Sequence, residues 1–347
     1  MKILSIGSLS GLSNTCLHRH WALKQVADYV DEVNTAINPM SLWGRIAFHS
    51  FLWGIPLRIP ENNNENMQIR KLVAANKYDV VWIDKGLTIA PETLRFIKDS
   101  SPQTIIVSYS PDNMALRHNQ SRQYLECIPL YDYIVTNKSY IIYDMKALGA
   151  KNVIFVDNTY ESTFHHPYQL TDKDYKELGG EVGFVGTWEE ERCKSLMYLA
   201  DHGIKVRVFG KGRWAEYINY SPNLKIELKS LDGDDYCKSL QAFSISLCFL
   251  RKMNYDQQTT RSVEIPACGG FMLAERTEEH QSLFKEGEEA DFFSSDSELL
   301  EKCRYYLLHS DLRNMIAKAG YDRCHKSDYS NLGMVKRVIT KITNSSL

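Results

Sequence analysis

Short apolar segments alternate with longer segments of helical periodicity along the whole chain. This alternation is typical of βα units, whose strands join a parallel sheet while the helices cover its faces. The fold class predicted is therefore α/β. Strands are predicted at 2–6, 80–83, 104–109, 133–136 and 153–156, and again at 181–185, 205–209, 224–227, 245–249, 271–274 and 291–293. Helices are predicted in the first half at 18–30, 66–76, 91–99, 119–128 and 138–148.

A polar stretch near the middle of the chain, around Thr171 to Asp174, interrupts both patterns. We interpret it as a linker, because domain boundaries fall in polar segments that few contacts cross. The sequence thus predicts an N-terminal Rossmann-like domain over 1–167, a C-terminal one over 178–328, and a last helix within 329–347 that is able to pack back on the first domain. Two such βαβ domains are expected to face each other across a cleft, with ligands at the carboxyl ends of the strands.

Composition narrows the class of protein. The 347 residues exceed one ordinary domain, and 44% hydrophobic with 24% charged residues fits a globular chain rather than a disordered one. No apolar run approaches the roughly 18 to 20 residues of a membrane span. The first residues are predicted to be a strand without a signal-peptide pattern, so a cytoplasmic location is expected. A net charge of −2 gives no basic footprint for nucleic acid, which is not expected as a partner.

The eight cysteines show neither a CxxC pair nor the spacing of a zinc site. We expect them to be reduced thiols, mostly buried.

The segment 251–270 is the most informative part of the second half. It follows an apolar strand as a polar loop and enters a short helix, an arrangement whose free backbone N–H groups suit a diphosphate. Arg251 and Arg261 add full positive charges, and the two vicinal hydroxyls of a ribose would satisfy Glu264. The alternative is that Asp256, Arg261 and Glu264 form a surface ion-pair cluster that caps the helix.

The stretch 264–270, Glu-Ile-Pro-Ala-Cys-Gly-Gly, resembles the donor-site signature of the group 1 glycosyltransferases, in which two carboxylates stand eight positions apart. Asp256 and Glu264 occupy those two positions. The resemblance implies that Glu264 binds the ribose of a nucleotide and that Asp256 lies near the transferred sugar. The chain departs from the family by having Asp where Glu is usual, which shortens the reach of the first carboxylate.

Further segments, spread over most of the chain, are informative through their order and spacing. They are 109–113, 119–121, 131–133, 149–153, 183–187 with Arg192, and 260–275, which begins at Thr260. Together they resemble the CgeB-like, spore maturation protein type of glycosyltransferase. The resemblance implies a GT-B architecture and a hexosyltransferase-like enzyme.

The same resemblance gives roles to residues in the turns after two strands. Gly186 and Thr187 match the family's first turn of the nucleotide-binding domain, where Gly186 would let the backbone approach a sugar phosphate and Arg192 would neutralise it. Gly210 and Lys211 follow the next strand at the same edge of the sheet and are further candidates for donor binding. The alternative for the turn of Gly186 and Thr187 is a tight βα connection without a ligand.

In the first half, the Gly- and Ser-rich loop 7–14 lacks the GxGxxG spacing of a dinucleotide site. His18, in the helix that the loop opens, is a candidate catalytic contact, against ordinary helix capping. Asp112 follows a strand and a proline; it could deprotonate an acceptor hydroxyl if the reaction inverts, or cap the turn.

These observations predict transfer of a sugar from a nucleotide-sugar donor to a cell-surface polysaccharide, glycolipid or protein acceptor. No metal or other cofactor is expected, because no DxD stands in a metal-site context and arginines can stabilise the leaving diphosphate. The resemblance suggests retention of configuration. A nucleotide-sugar epimerase and a non-catalytic nucleotide-sugar-binding protein remain alternatives.

The segment 42–53 is apolar and aromatic, with one arginine. It could dock on a membrane surface or a lipid-linked acceptor, which would place the protein peripherally at the inner face of the membrane. The alternative is a helix packed on the first domain.

Overall fold

The computed structural model describes residues 1–36, 41–55, 57–61 and 63–344. The chain forms two compact units, the first from Met1–Asp157 and Asn331–Leu347 and the second from Asn158–Ser330. The division thus lies before the polar stretch at which a linker is predicted. That stretch instead begins a helix, because Thr171 and Asp174 form a reciprocal capping box.

Each unit contains a six-stranded parallel sheet, which confirms the α/β prediction of two Rossmann-like units. In the first unit the strand order is β2-β1-β3-β4-β5-β6, with bounds β1 Lys2–Gly7, β2 Tyr29–Asn34, β3 Val80–Asp84, β4 Ile105–Ser110, β5 Tyr133–Thr136 and β6 Val153–Phe155. In the second it is β12-β11-β10-β7-β8-β9, with bounds β7 Gly180–Val185, β8 Val206–Phe209, β9 Leu224–Glu227, β10 Phe243–Cys248, β11 Met272–Glu275 and β12 Asp291–Phe293.

The first unit's helices before the division are α1 Thr15–Val26, α2 Leu42–Leu52, α3 Glu65–Ala75, α4 Pro91–Ser100, α5 Arg122–Cys127 and α6 Ile142–Ala147. The second unit's are α7 Asp172–Leu178, α8 Glu190–Asp201, α9 Gly233–Ala242, α10 Arg261–Ala267, α11 Glu278–Leu283, α12 Asp296–Leu308 and α13 Ser310–Lys326. The last helix, α14 Asn331–Asn344, returns to the first unit, where Val335 and Ile339 pack with Trp82 of the sheet.

Central strands are buried on both faces, as parallel sheets covered by helices require. All five residues of β3 are buried, for example, whereas the edge strand β2 has one buried residue, Val33. The prediction of a helix through residue 30 is wrong at its end, because Tyr29 already pairs with Lys2 of β1. This polar edge strand lacks the continuous apolar run that marks the others.

Candidate functional site

The order of strands in the second sheet reverses between β7 and β10. Ligands of open α/β sheets bind beyond the carboxyl ends of the strands at such a switch point. Gly186 and Thr187 follow β7, Gly210 and Lys211 follow β8, and Arg251 lies shortly after β10. The predicted donor-binding turns therefore meet at one edge of this sheet.

Gly186 and Gly210 allow the backbones of two turns to touch. A Cβ on Gly210 would collide with the Gly186 carbonyl oxygen, and one on Gly186 would lie 2.8 Å from the Phe184 ring and 3.4 Å from Nη1 of Arg261. Trp214 Nε1 donates to that same carbonyl oxygen at 3.0 Å, and Trp214 is fully buried. Trp214 is therefore a core residue that fixes the turn, while the neighbouring Thr187 and Lys211 are exposed.

Two guanidinium groups lie beside this turn. Arg192, on α8, donates to the carbonyl oxygens of Thr187 at 3.2 Å and Leu250 at 3.3 Å. Arg192 and Arg261 both lie over the Phe184 ring, with guanidinium carbons 5.3 Å and 5.5 Å from its centroid. The Nε atoms of both arginines are buried without a hydrogen-bond partner among the described residues. The site thus holds one buried and one half-buried cation, each with an unused Nε–H donor.

Glu189 supplies the negative charge next to these arginines. Its carboxylate lies 3.2 Å from Nη2 of Arg192 and accepts a 2.9 Å hydrogen bond from Nε of Arg251. Arg251 is exposed, so its side chain can exchange this partner for another. The sequence-based reasoning overlooked Glu189, although a carboxylate three residues before Arg192 is visible in the sequence.

Burial and the charge of Arg261 lower the pKa of Arg192 to about 10, against the opposing pull of Glu189. Burial is the larger cause, and the neighbouring positive charges of Arg261 and Arg251 act in the same direction. An anion bound here would favour the charged form of Arg192.

Glu264 lies one turn into α10 and is buried. Tyr236 donates its hydroxyl to the carboxylate at 2.7 Å, and burial raises the pKa of Tyr236 well above its ordinary value, so the hydroxyl stays protonated. His165 accepts a hydrogen bond at Nδ1 from the Glu161 N–H, which leaves its proton on Nε2, 3.9 Å from Glu264 Oε1.

The alternative of a surface ion-pair cluster does not fit these positions, because Glu264 and Asp256 are both buried. Asp256 lies in the loop before Thr260 and α10, and its N–H donates to the Arg251 carbonyl oxygen at 3.3 Å. Tyr236 and His165 were not predicted, because both are distant from Glu264 in sequence.

The expectation that all cysteines are reduced is wrong for two of them. Cys237 and Cys268 form a disulfide, with Cα atoms 5.6 Å apart and 31 positions between them in sequence. The packing of α9 against α10 creates this pair, which no local motif could have shown. The bridge joins the residue after Tyr236 to the residue one turn after Glu264. The remaining six cysteines are buried and free.

The first unit has a cavity of about 420 Å³ at the carboxyl ends of β1, β3 and β4. Its floor carries the buried pair Arg19–Asp84, joined at 2.6 and 3.0 Å. At its edge Lys85 Nζ lies 2.6 Å from the Asp112 carboxylate, and Lys85 has a left-handed backbone with φ of 65°. Paired charges and hydroxyl side chains therefore share the lining of this cavity with apolar groups.

The two predicted catalytic residues of this unit differ in position. Asp112 lines the cavity. His18 is buried, its Nε2 donates to the Leu12 carbonyl oxygen at 2.6 Å, and it is absent from the cavity lining. Its visible role is to hold the loop between β1 and α1.

No group of three or more His, Cys, Asp or Glu side chains able to hold a metal ion occurs within 1–36, 41–55, 57–61 and 63–344.

Comparisons with known proteins identify the fold. Residues 192–336, less than half of the chain, match the family model described as glycosyl transferase-like, and no curated protein matches significantly. Anabaena HepE in complex with UDP-glucose aligns with a TM-score of 0.65 at 12% identity, over 99% of this chain and 100% of that one. Sucrose-phosphate synthase from Thermosynechococcus elongatus aligns at 0.66 and 9%, over 99% and 98%.

A putative UDP-N-acetylglucosamine 2-epimerase from Listeria monocytogenes also aligns, with a TM-score of 0.59 at 11% identity, over 99% of this chain and 96% of that one. At these identities the likeness establishes the fold, and the predicted GT-B class is confirmed. The second unit's arginines and Glu264 lie within the matched residues. On a GT-B fold, residues 192–336 are thus similar to the glycosyl transferase-like family, which supports a glycosyltransferase of the group 1 kind.

Proposed function

We propose that the protein transfers a sugar from a nucleotide-sugar donor to a polysaccharide, glycolipid or protein acceptor. The observation that carries the proposal is the pair of guanidinium groups of Arg192, which is buried, and Arg261, which is half-buried, beside the Gly186 turn. Both have a buried Nε–H donor without a hydrogen-bond partner among the described residues, and an anionic ligand at this turn would accept from such donors. HepE, which has the same fold, was crystallised with UDP-glucose, which supports a nucleotide sugar as that anion.

Within this proposal, Arg192, Arg261 and Arg251 hold the diphosphate. Negative charge develops on the diphosphate as its bond to the sugar breaks, and fixed guanidinium groups stabilise that charge without reorganising. Glu264 is held in place by Tyr236 and accepts the ribose hydroxyls. We propose on this basis that the transfer is metal-independent and, from the resemblance to the group 1 enzymes, that it retains configuration.

For the acceptor we propose the cavity of the first unit. Its paired charges, Arg19 with Asp84 and Lys85 with Asp112, leave the lining close to neutral and rich in hydrogen-bonding groups, which suits a polyhydroxylated ligand. Asp112 is the candidate base should the reaction invert. Asp256 remains the candidate carboxylate near the transferred sugar.

A panel of UDP-, GDP-, ADP- and CMP-sugars tests the function directly. The proposal predicts release of free nucleotide that increases when an acceptor saccharide is added and that persists in EDTA. Interconversion of the donor sugar without any acceptor would indicate an epimerase instead. Binding without turnover of any donor would indicate a non-catalytic binding protein.

A further inference from the structure

Helix α2 and the residues after it expose large apolar side chains. Its buried residues are mostly small: Gly44, Ala47, Ser50 and Phe51. Its exposed large apolar residues, with the two that follow it, are Leu42, Trp43, Ile46, Trp53 and Ile55, which we call the α2 face. Leu42 is 75% exposed and Trp53 is 79% exposed. A surface helix normally turns its large apolar side chains inward, so the usual arrangement is reversed here.

The exposed apolar side chains of α2 have the spacing of one side of a helix. Leu42, Ile46 and Trp53 stand four and seven residues apart, so they lie on one side of the helix, with His49 between Ile46 and Trp53. All four are exposed. Scattered apolar residues on a surface need no explanation, whereas several large apolar side chains along one exposed stripe mark a surface that binds a partner.

The segment that carries the α2 face has no acidic residue of its own. Residues 33–60 contain no Asp or Glu, while Arg45 is exposed on the helix itself. At the end of α2, Arg117 Nε donates to the Phe51 carbonyl oxygen at 2.7 Å. The apolar stripe is therefore accompanied by basic side chains, which complements an anionic partner.

We propose that the α2 face docks on the surface of an anionic lipid bilayer. Tryptophan favours the boundary between water and hydrocarbon, and Trp43 and Trp53 lie at the two ends of the helix. Basic side chains beside an apolar stripe add attraction to anionic headgroups. In the part of the chain that the structure describes, no helix could span a membrane. Helix α2 has 11 residues, fewer than the roughly 20 that cross a bilayer, so the docking proposed here places it in the plane of the surface.

Co-sedimentation with vesicles tests this docking. We expect the purified protein to bind phosphatidylcholine–phosphatidylglycerol vesicles, to bind phosphatidylcholine vesicles less, and to lose binding as salt is raised. Trp43→Ser and Trp53→Ser should each lower the partition coefficient by roughly tenfold. Tyr143→Ser and Leu308→Ser remove side chains that are 83% and 82% exposed elsewhere and should leave it unchanged.

The remaining outcomes contradict the proposal. Equal loss in all four variants would show that general surface hydrophobicity acts, and no vesicle binding by the wild type would refute the docking. A lipid-free dimer that Trp53→Ser dissociates in sedimentation velocity would assign the face to a second copy of the chain. Nucleotide binding measured without lipid should be the same in all variants. Loss of vesicle binding can therefore be distinguished from loss of the donor site.

Discussion

Replacing Glu189 with glutamine should tighten the binding of a nucleoside diphosphate. Glu189 neutralises Arg192 at 3.2 Å and Arg251 at 2.9 Å, two of the three cations that we assign to the diphosphate. A carboxylate in that position competes with the ligand for both cations and repels it. Glutamine has nearly the same shape and removes only the charge.

The size of the effect follows from Coulomb's law. A carboxylate about 7 Å from a bound phosphate charge repels it by about 2 kcal/mol at an effective dielectric constant of about 20. Because Glu189 is 23% exposed, solvent screening reduces this to about 1 kcal/mol, or about fivefold in Kd. The ligand-free protein should lose about 1 to 2 kcal/mol of unfolding free energy, since the buried Arg192 loses its counter-charge.

Calorimetric titration and thermal unfolding measure the two effects on the same samples. Glu190→Gln is a matched control, because Glu190 is the next residue and pairs with Lys194 at 2.8 Å rather than with a site arginine. We expect Glu189→Gln to combine a lower Tm without ligand with a larger rise in Tm on adding nucleotide.

Two results would refute this reasoning. Weaker nucleotide binding by Glu189→Gln would mean that the carboxylate positions the arginines for the ligand rather than competing with it. Equal changes in Glu189→Gln and Glu190→Gln would mean that only the net charge of the unit matters.

Further predictions concern three features of the second unit. Glu264→Ala should weaken nucleotide binding roughly tenfold while circular dichroism stays unchanged, and Tyr236→Phe should weaken it less, because the carboxylate remains; equal affinity in the Glu264 variant would contradict the ribose assignment. Burial lowers the pKa of His280 from 6.5 to about 4, so the unfolded chain takes up a proton first as the pH falls. About 3 kcal/mol of stability should therefore be lost between about pH 6.5 and pH 4, and urea titrations of His280→Gln should show a flatter pH dependence; an unchanged slope would contradict it. The protein denatured without reductant should titrate six thiols, and eight after reduction of Cys237–Cys268; eight in both cases would exclude the bridge.

Much of the fold could be predicted, because buried parallel strands are continuous apolar runs that are recognisable in the sequence. The exceptions are elements whose stability comes from partners. Strand β2 is a polar edge strand that exists through its pairing with β1. Helix α7 is mostly polar, with Leu178 as its buried residue, and its start depends on the capping box of Thr171 with Asp174, which is hard to distinguish among charged residues in the sequence.

The candidate site was likewise only partly predictable from the sequence. Gly186, Arg192, Arg261 and Glu264 could be named from motif and position, because they follow strands at one edge of a sheet. The side chains that contact them could not be named from the sequence. Tyr236, for example, lies on another helix, and residue spacing does not show that it contacts Glu264. His18 illustrates the converse case, in which a residue with suitable chemistry serves the local backbone.

The central claim is that the guanidinium groups of Arg192 and Arg261 in the second unit bind a nucleoside diphosphate. Calorimetric titration of UDP into the wild type, Arg261→Gln and Arg122→Gln tests it most directly, with GDP, ADP and CDP titrated in parallel. Arg122 is an exposed arginine of the first unit that pairs with Glu126. The account predicts saturable binding of at least one diphosphate by the wild type and by Arg122→Gln, and a loss of at least about tenfold in Arg261→Gln. No binding of any diphosphate by the folded wild type, or equal affinity in all three proteins, would contradict it.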